Sequence, residues 1–209
     1  MRWWGVAAAF LSGACMFSYW LGLLADKNLR AVGDGNPGAF NLWRAAGARF
    51  GAAGVVLDFL KGYLPVTLLT DGDGDGLATA AVALAPVAGH IFSPFLHFRG
   101  GKGVAVTFGV WSALTDFEVS LAYAVVLAVL AVAFRAAHSG KAPTSEEDAL
   151  QIVGGMLAVG AYLWLRGLAA AFGWTWCGNA LLLAFAHRRE LRQWWGKAWC
   201  FLKRQGIKV

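Results

Sequence analysis

The sequence predicts an all-α polytopic membrane protein. Seven transmembrane helices are expected, one of them short enough to be re-entrant, followed by a C-terminal amphipathic helix at the membrane interface. Three observations carry this reading. First, 58% of the 209 residues are hydrophobic and only 14% are charged, against about 25% charged in an ordinary soluble domain. Mean hydropathy is +0.55. A soluble chain of this length could not hide so much apolar surface, and the same numbers exclude disorder, a coiled coil and a disulfide scaffold. Second, long apolar runs recur through the chain. Third, basic residues segregate between the connections.

Crossing the hydrocarbon core takes ~20 residues at 1.5 Å each. Residues 3–25, 50–69, 77–95, 119–134, 149–165 and 168–186 supply such runs. Residues 104–114 are as apolar but short, which suits a helix buried in protein. With that segment counted, 15 of the 18 Lys and Arg residues fall on one side, in the odd-numbered connections and the tail. The other side holds Arg2 and Arg166 beside acidic Asp71, Asp73, Asp75, Asp116 and Glu118. The positive-inside rule then places the N-terminus outside and the C-terminus in the cytoplasm of a multi-pass protein of the cell (inner) membrane. The first run exceeds the ~7–15 residues of a signal-peptide core. It also contains Trp3, Trp4 and Trp20, and so reads as a retained span.

Two regions are expected: a membrane domain over 1–187 and a basic tail over 188–209. In the tail, Leu191, Trp194, Trp195, Ala198, Trp199 and Leu202 follow helical spacing, with Arg and Lys on much of the remaining face. This predicts a helix lying on anionic membrane lipids rather than a nucleic-acid arm. The three cysteines are scattered, with no CxxC and no Cys/His ligand spacing. Neither a disulfide framework nor a metal site is expected.

Three stretches on the basic side are too polar and Gly-rich to be mere connectors. The first runs from Gly33 through Asp34, Gly35, Asn36, Pro37, Gly38, Ala39 and Phe40 to Asn41, with Arg44 following. Glycines let backbone N–H groups turn toward an anion, and a following helix N-terminus adds positive potential. The second is Phe98-Arg99-Gly100-Gly101-Lys102-Gly103 before an apolar helix. It resembles a phosphate cradle but lacks the Walker A spacing. The third is His187-Arg188-Arg189-Glu190, where His187 and Glu190 share one helix face. Taken singly, each also reads as an ordinary turn or interfacial segment.

Two further features read as structural. Asp58 and Lys61 form an i, i+3 pair within the second span, as expected of an ion pair facing the bundle. The Asp71-Gly-Asp73-Gly-Asp75-Gly76 run matches half an EF-hand loop, but position 12 is Val82, so a flexible acidic loop is expected. The His-x4-Asp signature of soluble-type acyltransferases, the GxSxG elbow and HExxH are all missing.

Taken in order, the three polar stretches resemble those of the integral-membrane acyl-phosphate:glycerol-3-phosphate acyltransferases, the PlsY family. Gly33 to Arg44 aligns without gaps to that family's Gly-Ser-Gly-Asn-x-Gly-Ala-Thr-Asn-x-x-Arg. Similar stretches are Leu57 to Gly62 with Pro65-Val66, Gly89-His90-Ile91-Phe92 leading to the GGKG loop, and His187 to Arg192. The resemblance spans roughly residues 12–192. It implies a seven-helix enzyme that moves a fatty acyl group from acyl phosphate to the 1-hydroxyl of glycerol 3-phosphate, giving lysophosphatidic acid, with no cofactor. It also implies catalytic roles for His187, Lys102, Asp34 and Glu190. Substrate phosphate would be bound by Gly35, Asn36, Gly38, Asn41, Arg44, Gly100, Gly101, Gly103 and Arg188.

Three positions depart from the family pattern. Its loop-one Ser is Asp34, its Thr is Phe40, and its loop-three Asn is Glu190. A carboxylate 4 Å from a phosphate charge is repelled by roughly 4 kcal/mol at an effective dielectric of about 20. An offset is needed, and pairing with Arg44, Arg188 or Arg189 is the expected one. The alternatives are acyl transfer to a less anionic acceptor, with Asp34 or Glu190 as general base, and a non-catalytic lipid- or phosphate-binding protein.

Overall fold

A computed structural model describes residues 3–70, 76–138 and 140–204. All regular structure among them is helical. In chain order the helices are α1 (Trp3–Ala14), α2 (Phe17–Leu24), α3 (Ala39–Ala46), α4 (Ala48–Leu69), α5 (Gly76–Ile91), α6 (Val104–Leu114), α7 (Glu118–Ala137), α8 (Ser145–Leu165), α9 (Ala169–Ala186) and α10 (Arg188–Arg204), with short 3-10 turns at Leu29–Ala31 and Pro94–Leu96. The acidic run Asp71, Asp73 and Asp75 lies outside the described residues, as do Arg2 and Lys208.

Six segments are long and apolar enough to cross a bilayer: Trp3–Leu24, Ala48–Leu69, Gly76–Leu96, Glu118–Ala137, Ser145–Leu165 and Ala169–Ala186. The chain is a multi-pass membrane protein. The short apolar segment is α6, whose 11 residues rise only about 16 Å. It sits in the middle of the bundle, with Val106, Val110 and Trp111 fully buried. Trp111 Nε1 donates to Asn179 Oδ1 at 2.9 Å, and Asn179 Nδ2 donates to Thr107 Oγ1 at 3.0 Å. These bonds tie α6 to α9 away from lipid. Around it pack Val66, Ala83, Val87, Tyr123, Met156 and Leu183. Val125, Val129 and Val132 of α7, by contrast, face outward, as side chains bathed in lipid do.

The structure corrects one expectation. The first apolar run is not one helix but two, broken at Cys15 and Met16. A break in a membrane span frees backbone carbonyls that no water can satisfy. Here side chains from other spans replace the missing N–H donors. Ser93 Oγ donates to Ala14 O at 2.7 Å, and Lys61 Nζ donates to Cys15 O at 2.6 Å. Lys61 is held in turn by Asp58 at 2.8 Å, and Asp58 accepts from Ser18 Oγ at 2.6 Å. The ion pair is structural, as expected, and its task is to cap a broken helix.

Candidate active site

The three polar stretches converge at one end of the bundle, and Lys102 stands between them. Its Nζ lies 2.7 Å from Asp34 Oδ2 and 2.9 Å from Glu190 Oε1. The offset expected from an arginine therefore comes from this lysine. Arg44 instead lies over the Phe40 ring at 4.5 Å. Arg188 stacks on Phe185 at 4.0 Å and donates to Phe185 O at 2.7 Å. Planar guanidinium groups gain from lying on rings, whereas the compact ammonium of Lys102 fits between two carboxylates.

The electrostatics follow. Burial alone would raise the Asp34 carboxyl, but hydrogen bonding and charge from Lys102, with help from Asn36 and Asn41, hold it below the usual carboxylate value. Burial alone would lower the Lys102 ammonium, but Asp34 and Glu190 outweigh it and hold its pKa above the ordinary lysine value. Both groups are charged at neutral pH.

The first stretch is a pre-formed loop. Asp34 Oδ1 accepts from Asn36 N at 3.1 Å, closing a tight turn. Asn41, on the first turn of α3, is buried. Its Nδ2 lies 2.9 Å from Val32 O, 2.8 Å from Asp34 Oδ1 and 2.9 Å from Asn36 O. Its amide donors are thus committed to the loop, which Asn41 organises. Gly33 has φ +57, and a Cβ there would sit 2.6 Å from Asn41 Oδ1. Gly35 donates its N–H to Val32 O at 2.9 Å. Asn36 and Gly38 remain on the surface of the site.

A second correction concerns the GGKG loop. Gly100 N donates to Ile91 O and Gly101 N to His90 O, both at 3.0 Å. A Cβ on Gly100 would lie 1.8 Å from His90 O, and one on Gly101 would lie 2.2 Å from His90 Nε2. These glycines let the loop lie against the end of α5, and their N–H groups are not free for an anion. The loop's anion-attracting part is further on. Gly103 (φ 77) begins α6, and the first N–H groups of a helix lack intrahelical partners. Gly103, Val104 and Ala105 face a cavity.

His187 closes α9 and is fully buried. Its Nδ1 lies 2.8 Å from Leu183 O, while Nε2 has no partner. Donation from Nδ1 leaves the Nε2 lone pair free. Burial, with the positive charge of Lys102, pulls the His187 pKa below the ordinary imidazole value despite the Leu183 hydrogen bond. The ring is neutral at pH 7.

Two cavities meet here. A cleft of about 580 Å³ is lined by Arg30, Arg99, Arg188, Arg189 and Lys102, against Asp34 and Glu190. Five cations against two carboxylates leave it positive. A mainly apolar cavity of about 530 Å³ runs between α4, α6, α7 and α8, lined by Val55, Val104, Phe108, Leu127, Ala131 and Ile152, with His187 and Arg44. Asp34, Asn36 and Lys102 belong to both. Beyond the motif residues, the cleft takes Arg30, whose guanidinium donates to Arg99 O, and the cavity takes Asp148 and Gln151 of α8. Spacing of three at the start of an apolar run is the one sequence sign of that last pair. Among the described residues no group of three or more His, Cys, Asp or Glu side chains could hold a metal.

Fold and site together define a polytopic membrane protein with an anion-attracting cleft beside an apolar cavity. The chain belongs to the glycerol-3-phosphate acyltransferase family, whose sequence profile matches residues 3–197. It is 36% identical over 195 residues to glycerol-3-phosphate acyltransferase 1 of Thermotoga maritima, covering 90% of this chain and 95% of that one. A glycerol-3-phosphate acyltransferase of an Anaeromyxobacter species is 34% identical over 199 residues, covering 90% of each. The fold matches the crystal structure of PlsY (YgiH), an integral membrane glycerol 3-phosphate acyltransferase, in its glycerol 3-phosphate form. The TM-score is 0.78 at 25% identity, over 99% of this chain and 94% of that one.

Proposed function

We propose that this chain makes lysophosphatidic acid for phospholipid synthesis by moving a fatty acyl group from acyl phosphate to the 1-hydroxyl of glycerol 3-phosphate. The observation that carries this reading is the shared wall. A cationic cleft suited to a small phosphorylated polyol and an apolar cavity suited to an acyl chain meet at Asp34, Asn36 and Lys102.

In the proposed step the 1-hydroxyl oxygen attacks the acyl carbonyl carbon. The new ester C–O bond forms and the acyl C–O(P) bond breaks, releasing inorganic phosphate. The hydroxyl proton passes to His187 Nε2, which is neutral and unpartnered, and from there to the departing phosphate, which leaves as hydrogen phosphate. Lys102 and the start of α6 face the oxygens where negative charge develops. Acyl phosphate is an activated mixed anhydride, so holding the two substrates together supplies much of the acceleration. Asp34 and Glu190 fix Lys102, while Asn36, Gly38, Arg44 and Arg188 contact the phosphates. The cleft faces the cytoplasm, with the N-terminus outside. Residues 1–187 form the membrane domain, and the basic tail 188–209 rests on anionic lipid.

Purified protein in lipid vesicles, given acyl phosphate and glycerol 3-phosphate, is expected to form lysophosphatidic acid and phosphate in equal amounts. Donor consumption without that product would assign another acceptor. No donor consumption would leave a binding protein.

Two variants probe the roles. Asp34→Ser with Glu190→Asn frees Lys102 from its clamp and removes two negative charges from the wall. The KM for glycerol 3-phosphate is expected to fall several-fold, and an unchanged or higher KM would show that the carboxylates do not oppose the acceptor. For His187, only the neutral ring accepts a proton. The kcat/KM is expected to fall as pH drops through its depressed pKa, below about 6.5. Stability follows the same sign: the unfolded chain binds the proton first, so this contribution holds above that value and fades below it. His187→Gln is expected to lose about 100-fold or more in rate. The part of the acid limb missing from its pH profile belongs to His187, and an unaltered limb would clear His187 of the role.

A further inference from the structure

We infer that Gln151 binds the carbonyl oxygen of the acyl donor and so fixes how deep the chain sits. This rests on the acyl-transfer reading and extends it to a residue outside the three loops. Ser145, Asp148 and Gln151 recur at every third position of α8 and all line the apolar cavity. Each lies about 4.5 Å deeper along the helix than the last. Gln151 is the deepest polar side chain that α8 gives the cavity; its neighbour Ile152, with Leu127 and Phe108 across the way, is apolar.

Gln151 is only 6% exposed. Its side-chain amide makes no hydrogen bond among the described residues, and Nε2 is shut off from solvent with no partner. A buried amide left unpaired is costly, and a fold that keeps one at the boundary between a polar mouth and an apolar slot is suited to a ligand that brings the partner. A fatty acyl chain has one polar atom, its carbonyl oxygen, and that atom only accepts. The amide N–H of Gln151 matches it. The other unpartnered groups on this cavity are otherwise placed. His187, at the end of α9, is the base of the proposed step, and His90 is packed against Gly101.

The test separates the carbonyl from the rest of the donor. Two non-reactive mimics of equal chain length are titrated by calorimetry onto the purified protein in lipid: a β-keto phosphonate, which keeps the carbonyl, and an alkyl phosphate, which lacks it. Gln151→Met keeps the length of the side chain and removes its hydrogen bonds. It is expected to weaken β-keto phosphonate binding about tenfold, the worth of one buried hydrogen bond, and to leave alkyl phosphate binding and the KM for glycerol 3-phosphate unchanged. Gln151→Asn, one methylene shorter, is expected to lose the same selectivity. Equal weakening of both mimics, or weakening of neither, overturns the proposal. Wild-type protein alone also decides: it is expected to prefer the β-keto phosphonate, and indifference between the mimics overturns the inference. Because binding is read directly, failure of this inference is distinct from failure of acyl transfer, which appears as absent turnover in wild-type protein.

Discussion

Lys102→Ala is expected to lower kcat/KM for acylation of glycerol 3-phosphate by at least about 100-fold, as loss of a single charged transition-state contact does in other sites. Two consequences of the geometry add. The ammonium that faces both cavities disappears, and with it a donor aimed at developing charge. Asp34 and Glu190 then face each other across the gap. At an effective dielectric of about 20, two carboxylates a few ångströms apart repel by roughly 3–4 kcal/mol. The loop before α3 and the first turn of α10, which carry them, are expected to part. Steady-state kinetics separate the two: lost binding raises KM, and lost transition-state contact lowers kcat. Melting temperature in detergent reports the loop effect independently. Lys102→Arg restores charge but not the compact fit between the carboxylates, so partial recovery is expected. An unchanged kcat/KM in Lys102→Ala would remove this residue from the reaction.

Asp58→Ala is expected to cost about 3–5 kcal/mol, the usual result of stranding one partner of a buried pair. Asp58 and Lys61 are 2% and 3% exposed. For a chain of this size that is a fall in melting temperature of about 10 °C. The capping role predicts more than the ion pair alone. Replacing both partners, as in Asp58→Leu with Lys61→Met, often restores stability when only a pair is at stake. Here Cys15 O would still lose its donor and Ser18 Oγ its acceptor. The double variant is therefore expected to recover only part of the loss, and full recovery would show that the broken helix needs no cap.

The six long spans and the three polar stretches were legible in the sequence because they depend on local pattern: runs of apolar residues and clustered glycines. The break at Cys15 and Met16 was not legible. Neither residue is a helix breaker, and what makes the break tolerable comes from Lys61 and Ser93, far away in sequence. The partner of the two unexpected carboxylates was misplaced for the same reason. Sequence spacing puts arginines next to Glu190, but only the fold brings Lys102 to both acids. Asn41 and the glycines of the GGKG loop were legible as loop residues, while the partners they take within the protein depend on the end of α5 and on the turn at Asp34. Gln151 was nearly hidden, because its one sign, a spacing of three from Asp148 at the start of an apolar run, belongs to no motif.

The wall that Asp34, Asn36 and Lys102 give to both cavities has a consequence for turnover. Each proposed substrate fills chiefly one compartment. The product of joining them fills both, with its glycerol phosphate head in the cationic cleft and its chain in the apolar slot. It is thus a two-handed ligand, and letting go with one hand leaves the other at high effective concentration. Departure of lysophosphatidic acid into the bilayer, rather than bond making, is then expected to be the slow event, as product release is in many enzymes. Longer chains would tighten that grip, so the rate of emptying the site would be set by the lipid the enzyme makes.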